Sequence, residues 1–221
     1  MLLALPAGFY TVKMQYTGKM LINGEKKLGE LHHLGGNPAL DFANTLDRRL
    51  SPEPWEYLET YEDVIEWSRT ASLIDGAHER RLMLKSRASP SRSRKAFRKA
   101  IVLREVIYRI FTAIAEQRRV ARADLDELQA LAIAARGAQA LLEDHDEYAW
   151  RWRRPLSLET PLLMVAEHAS TLLTQRDIAT RVRVCSGRGC SWIFLDTSKA
   201  GRRRWCSMQS CGNRAKAARR T

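Results

Sequence analysis

The chain has 221 residues, of which 45% are apolar and 28% charged, and its formal net charge is +12. This is enough chain for one ordinary domain with a real core plus a small appended unit. No apolar run approaches the ~20 residues that cross a bilayer, and the short apolar opening, Met1 to Ala7, lacks the basic leader and processing site of a secretory signal. A membrane protein or a disulfide-rich secreted one is therefore not expected, and the expected compartment is the cytoplasm.

In chain order, residues 1–28 mix apolar pieces with glycines and read as a leader without an assignable structure. A mostly helical domain is expected over residues 29–180. From Asn37, the run Asn-Pro-Ala-Leu-Asp-Phe-Ala-Asn-Thr-Leu-Asp places Leu40, Ala43 and Leu46 at helical spacing, with a proline suited to a first turn. Asp41, Asn44 and Asp47 recur three apart on another face of this helix. Three polar groups in register can hold a ligand or cation, or form a capped, solvated or hydrogen-bonded face.

Thr60-Tyr-Glu-Asp63 has the form of a capping box and opens a short helix containing Val64, Ile65 and Trp67. A second helix is expected over Ala77 to Lys85. The strongest periodicity follows Ser89-Pro90-Ser91, where Phe97, Ala100, Ile101, Ile107, Ile110, Phe111 and Ile114 step by three and four in a central helix. Arg104 is the polar entry in that stripe and is expected to lay its stem on the core with its head in water. Asp124 is placed to cap a further helix that Gly137 ends. Ala140-Leu-Leu and Tyr148-Ala-Trp150-Arg-Trp152, separated by a polar turn, alternate like a β-hairpin whose tryptophans line a packed face. Leu162, Val165, Ala166, Ala169, Leu172 and Leu173 mark a last core helix, with His168 at its boundary.

All four cysteines lie in the final fifth as Cys185, Cys190, Cys206 and Cys211, spaced C-x4-C-x15-C-x4-C. Two short-loop pairs supply four soft ligands to one Zn²⁺, and disulfides or free thiols are the alternatives. A site closed by four cysteines leaves zinc no open position for substrate, and the five scattered histidines offer no metalloprotease spacing. With no nucleophile signature or Gly-rich phosphate loop elsewhere, the chain is not expected to be an enzyme.

Charge concentrates at the same end. Residues 181–221 hold eleven Lys or Arg and one acid, Asp196, a net of +10, whereas the other 180 residues carry 26 basic and 24 acidic groups, a net of +2. Four thiolates around Zn²⁺ leave about −2, which cannot absorb eleven cations, so a polyanion such as nucleic acid is implied. Arg202, Arg203, Arg204, Arg214, Lys216, Arg219 and Arg220 are the contact candidates, with Arg214 divided between that role and support of the metal ligands. Trp192 and Trp205 either pack on the metal cluster or stack on bases.

Locally, Gly187 and Gly189 permit a tight knuckle, Trp192 to Leu195 reads as a strand, and Asp196 to Gly201 as a turn. Arg202 to Trp205 is expected as the returning strand, with two ligands before this hairpin and two after it. Cys211 opens a basic helix running to Arg220, giving a treble-clef-like finger appended to a mainly α, α+β domain. Cys185-x4-Cys190, Phe194-Leu-Asp-Thr-Ser198, Arg203-Arg-Trp-Cys-Ser-Met208 and Cys211-Gly-Asn-Arg214 with Lys216 resemble the bacterial CGNR zinc-finger family. Leu40-Asp-Phe-Ala-Asn-Thr45, the Trp67 helix, the hairpin and the late apolar helix resemble the ABATE domain that accompanies this finger.

The resemblance implies a transcription regulator of the stress-induced type. Its finger would use one structural Zn²⁺ and contact double-stranded DNA, and its helical domain would sense a small-molecule effector or form a homodimer. An RNA-binding or protein-interaction module, with zinc only holding a basic surface, is the rival expectation.

Overall fold

The computed structural model describes residues 31–144, 147–177 and 180–218, so the leader and Arg219 and Arg220 lie outside the described residues. Helix α1 (Pro38–Ala43) begins where Asn37 caps the Ala39 N–H and Pro38 occupies the first turn. Strands β1 (Leu46–Asp47) and β2 (Trp55–Glu56) pair antiparallel. Helix α2 (Tyr61–Thr70) carries the expected capping box, with Thr60 and Asp63 each accepting from the other's backbone N–H. Helix α3 (Gly76–Ala88) follows, and then α4 (Pro90–Ala115), the longest element.

Helix α4 organises the core because Ala96, Ala100, Leu103, Ile107, Ile110 and Phe111 repeat at three- and four-residue spacing and are all buried. Helices α1, α2, α3, α5 (Arg122–Gly137) and α6 (Thr160–Thr174) surround it. The residues expected to stripe the last helix are buried along α6, except Leu173, which is half-buried. His168 is half-buried there, and its pKa is lowered by that burial. Among the described residues no helix is long and apolar enough to cross a membrane.

Three details of the helical domain depart from the sequence expectation. Arg104 does not reach water: it is 3% exposed, and its guanidinium forms a two-pronged pair with Glu56 at 2.6 and 2.8 Å and a further bond to Glu105 at 2.9 Å. The planar fork matches a carboxylate, so the charge is retained inside. Asp124 does not cap α5. It lies in the first turn and receives Arg109 of α4 at 2.6 Å, tying the two helices together. The hairpin β3 (Gln139–Asp144) and β4 (Glu147–Trp152) forms with Leu141 opposite Trp150. Its aromatic face is only partly packed, since Trp152 is half-buried against the core while Trp150 is 47% exposed under the Arg136 guanidinium.

The finger does not stand apart. Strands β5 (Val182–Val184) and β6 (Ile193–Leu195) pair antiparallel and pack on α4 and α1, so Ile193 and Phe194 are fully buried in a core continuous with the helices. The strand expected over 202–205 is absent. Instead the hairpin is β5–β6, and the first two cysteines lie in the knuckle between its strands.

Candidate metal centre

Cys185 directly follows β5, and Cys190 and Ser191 lead into β6, so the hairpin itself brings the first pair of ligands together. Glycine is required inside this knuckle at Gly187, where a Cβ would lie 2.8 Å from the Cys211 sulfur. Gly189 adopts a left-handed φ of +72° that glycine takes without strain. The second pair arrives through a loop closed by Asp196. Its carboxylate accepts the Ser198 hydroxyl at 2.6 Å, the Ser198 N–H at 3.0 Å and the Arg203 N–H at 2.7 Å. Burial opposes its charge, but the bonds from Ser198 and Arg203 hold its pKa below the ordinary carboxylate value.

Arg203 then donates to the Cys206 carbonyl at 2.7 Å and lies over the Phe194 ring at 4.6 Å. Side-chain bonds of this kind, rather than a strand ladder, shape residues 202–205, and the Ser186 N–H reaches the Arg204 carbonyl at 2.8 Å. Cys211 sits in a single π-helical turn, Met208–Gly212, whose start is capped by Ser207. The helix expected from Gly212 to Arg220 is seen as α7 (Asn213–Ala217), which follows that turn. The order of knuckle, loop and terminal helix remains treble-clef-like.

The four sulfurs are buried and lie within 4.8 Å of one another, the only group of potential metal ligands of this kind among the described residues. Cys190 and Cys206 are 3.7 Å apart, and Cys206 and Cys211 3.8 Å. Four sulfurs at about 2.3 Å from a tetrahedral Zn²⁺ are separated by about 3.8 Å, so the donor set fits zinc. A disulfide would bring two of them to about 2.05 Å, and all four thiols are free. The chain therefore holds one structural zinc.

Surrounding donors are arranged for thiolate charge. Backbone N–H groups of Gly187 and Cys206 reach the Cys185 sulfur at 3.4 and 3.3 Å, and the Arg214 guanidinium reaches the Cys211 sulfur at 3.0 Å. Hydrogen bonds within the cluster, led by that from Cys185, push the Cys211 thiol well below its ordinary pKa, with Arg214 adding to the effect. The same crowding pushes Cys206 up, because four adjacent thiols cannot all ionise without a cation between them. A bound Zn²⁺ makes all four thiolates and converts that repulsion into ligation.

The other sequence-selected residues divide clearly. Arg202, Arg204 and Lys216 are exposed, Arg203 is spent on the loop, and Arg214 is exposed but bonded to the metal cluster. Trp192 is 8% exposed and gives its indole N–H to Asp47 at 2.8 Å, which removes it from any base-stacking surface. Trp205 is half-buried, with the Arg204 guanidinium 5.5 Å from its ring centre.

Asp41, Asn44 and Asp47 do not line a common ligand pocket; each is engaged within the chain. The Asp41 carboxylate accepts the Gly35 N–H at 2.7 Å, Asn44 makes two bonds to Ile193, and Asp47 holds Trp192. Asn44 and Asp47 join the helical domain to the finger, while Asp41 fixes the Gly35 backbone within the helical domain, roles the three-residue spacing alone did not reveal.

A mostly helical domain fused through a shared core to a four-cysteine zinc finger defines the class of protein. Residues 36–176 match the ABATE family, described as a putative stress-induced transcription regulator, and residues 181–221 match the CGNR zinc finger. The chain belongs to the ABATE family and carries its CGNR finger at the C-terminal end. No curated protein matches the chain.

Proposed function

We propose that the protein is a cytoplasmic, non-enzymatic transcription regulator that binds double-stranded DNA through its zinc-held finger. The observation carrying this reading is the +10 net charge of residues 181–221 on a unit whose only acid, Asp196, is consumed in closing a loop. Arg202, Arg204 and Lys216 are the contacts, and Arg219 and Arg220 add charge in the same segment. Arg203 and Arg214 act indirectly, by holding the loop and the metal ligand. Burial of Trp192 supports a duplex over a single strand, because stacking platforms for splayed bases require exposed aromatic faces. The helical domain, as the larger part, takes the sensing or dimerising role.

The test is titration of the zinc-loaded full chain against duplex DNA, single-stranded DNA and RNA over a range of salt. A variant with Arg202, Arg204 and Lys216 changed to Gln should bind duplex more weakly, its log–log salt slope flattened by about 2 to 3, at about 0.9 per phosphate contact. Zinc content should not change. Preference for RNA, or a slope unchanged in this variant, would contradict the reading.

A further inference from the structure

The near-neutral balance of the first 180 residues conceals a second concentration of charge. Between Glu79 and Glu105 the chain carries ten Lys or Arg and no acid. All but the buried Arg104 are exposed. Of the nine exposed, only Lys99 has an ion-pair partner among the described residues, Glu159 at 2.6 Å.

Helical spacing gathers these cations. On α4, Arg92, Lys95 and Lys99 lie at i, i+3 and i+7, with Arg94 and Arg98 one turn apart beside them. The buried positions Ser93, Ala96, Ala100 and Leu103 form the adjoining face, so Arg92, Lys95 and Lys99 flank the core-facing side while Arg94 and Arg98 lie opposite it. Lys85 of α3 meets Arg92 and Lys95 across a cleft of about 540 Å³ that is also lined by Ser89, Ser157 and one acid, Glu159. Such an arrangement opposes the stability of the fold. Like charges three or four apart on a helix each cost about 0.2–0.5 kcal/mol. Here they also crowd the positive end of the α4 dipole, whose first turn contains no acid. A solvated helix face ordinarily mixes both signs, so nine exposed cations with a single ion-pairing acid, Glu159, among the described residues fit an external polyanion.

We infer that this α3–α4 ridge is a second DNA-backbone contact surface, used together with the finger. The inference rests on the proposed DNA-binding function and extends it to residues of the helical domain. The finger docks on the same helix, where the Tyr108 hydroxyl donates to the Ser191 carbonyl at 3.1 Å. Thirteen residues separate Lys95 from Tyr108, or about 20 Å along the helix axis at 1.5 Å per residue. Phosphates along one DNA strand recur about every 3.4 Å of helix axis, so a single duplex of ordinary length can span both surfaces. The ridge has no groove-reading geometry of its own, and its contribution is affinity without sequence preference.

The experiment compares three zinc-loaded full-length proteins binding one duplex across salt: wild type, a ridge variant (Arg92→Gln, Lys95→Gln, Arg98→Gln) and the finger variant described above. The ridge variant should flatten the salt slope by about 2 to 3 and weaken binding at physiological salt at least about tenfold. Its zinc content and melting temperature should match or exceed those of wild type, since the replaced groups are exposed and mutually repulsive. Wild-type behaviour in the ridge variant, with loss confined to the finger variant, overturns the ridge while the DNA-binding function stands. If wild type binds no duplex at low salt, both the DNA-binding reading and the ridge are overturned.

Discussion

The side-chain amide of Asn44 pairs with the backbone of Ile193 as a neighbouring strand would, donating to its carbonyl and accepting its N–H, both at 2.9 Å. β6 has β5 on one side only, and its other edge points into the helical domain, where water cannot reach it. Asn44 satisfies one residue of that edge, and the Gly35 carbonyl accepts the Leu195 N–H at 2.8 Å. The metal site and the helical core are thereby built into one folding unit.

Asn44→Leu should therefore act across the joint. It strands the Ile193 N–H and carbonyl in a buried place, at about 1–3 kcal/mol for each unsatisfied group. The expected outcome in denaturant unfolding is a loss of about 2–4 kcal/mol, with weaker zinc retention against a chelator. Unchanged stability would mean that the finger does not depend on this contact.

Zinc removal should destabilise more than the finger. Sequence alone suggests that the helices form a separate core that would survive loss of the metal, but Ile193 and Phe194 are buried among those helices. Cys206→Ser should abolish the single bound zinc, measured by elemental analysis, and lower the melting temperature of the helical signal as well. A helical transition at the wild-type temperature in this variant would restore the two-core view.

The two arginine roles near the metal separate by their readouts. Arg214→Ala should speed zinc loss to a chelator, because the Cys211 thiolate forfeits a charged donor at 3.0 Å. Arg214→Lys should recover part of that retention through charge while losing the guanidinium's directional fork. Equal retention in all three proteins would free Arg214 from the metal and return it to the list of DNA contacts.

Asp41 makes stability depend on pH near neutrality. Burial, partly offset by the Gly35 N–H, pushes its pKa up from 3.8 to about 7 in the fold. His33, 4.0 Å away, has its own pKa lowered by burial and supplies little compensating charge. A raised folded pKa means that the folded state favours the protonated acid. The associated stability is complete below about pH 4 and is lost as pH rises through about 7. Between pH 6 and 8 the wild type should lose about 1 kcal/mol relative to Asp41→Asn. Parallel stability curves for the two proteins would contradict the shift.

Much of the architecture was legible because its causes are local. The Thr60–Asp63 capping box, the α4 stripe from Ala96 to Phe111 and the cysteine pairs are all set by neighbours within a few residues. What escaped depends on partners far along the chain. Periodicity places Arg104 on the core face of α4 but does not indicate that Glu56 would meet it there. Nor does spacing disclose that Asn44 serves a strand 149 residues away. The segment from Arg202 to Trp205 has the composition of a strand, yet Asp196 and Arg203 hold it by side-chain bonds. The α3–α4 ridge was readable from sequence and was hidden only by averaging its charge with the acids elsewhere.

The most direct test of a zinc-held, DNA-binding finger is the affinity of the full chain for duplex DNA before and after metal removal. Fluorescence anisotropy at fixed, moderate salt, with zinc then restored, gives the comparison within one preparation. Loss of zinc should weaken binding at least about tenfold, equivalent to about 1.4 kcal/mol, because the arginines of the finger lose the frame that positions them. Restored zinc should restore the affinity. A metal-free chain that binds duplex as tightly as the loaded one would contradict the account.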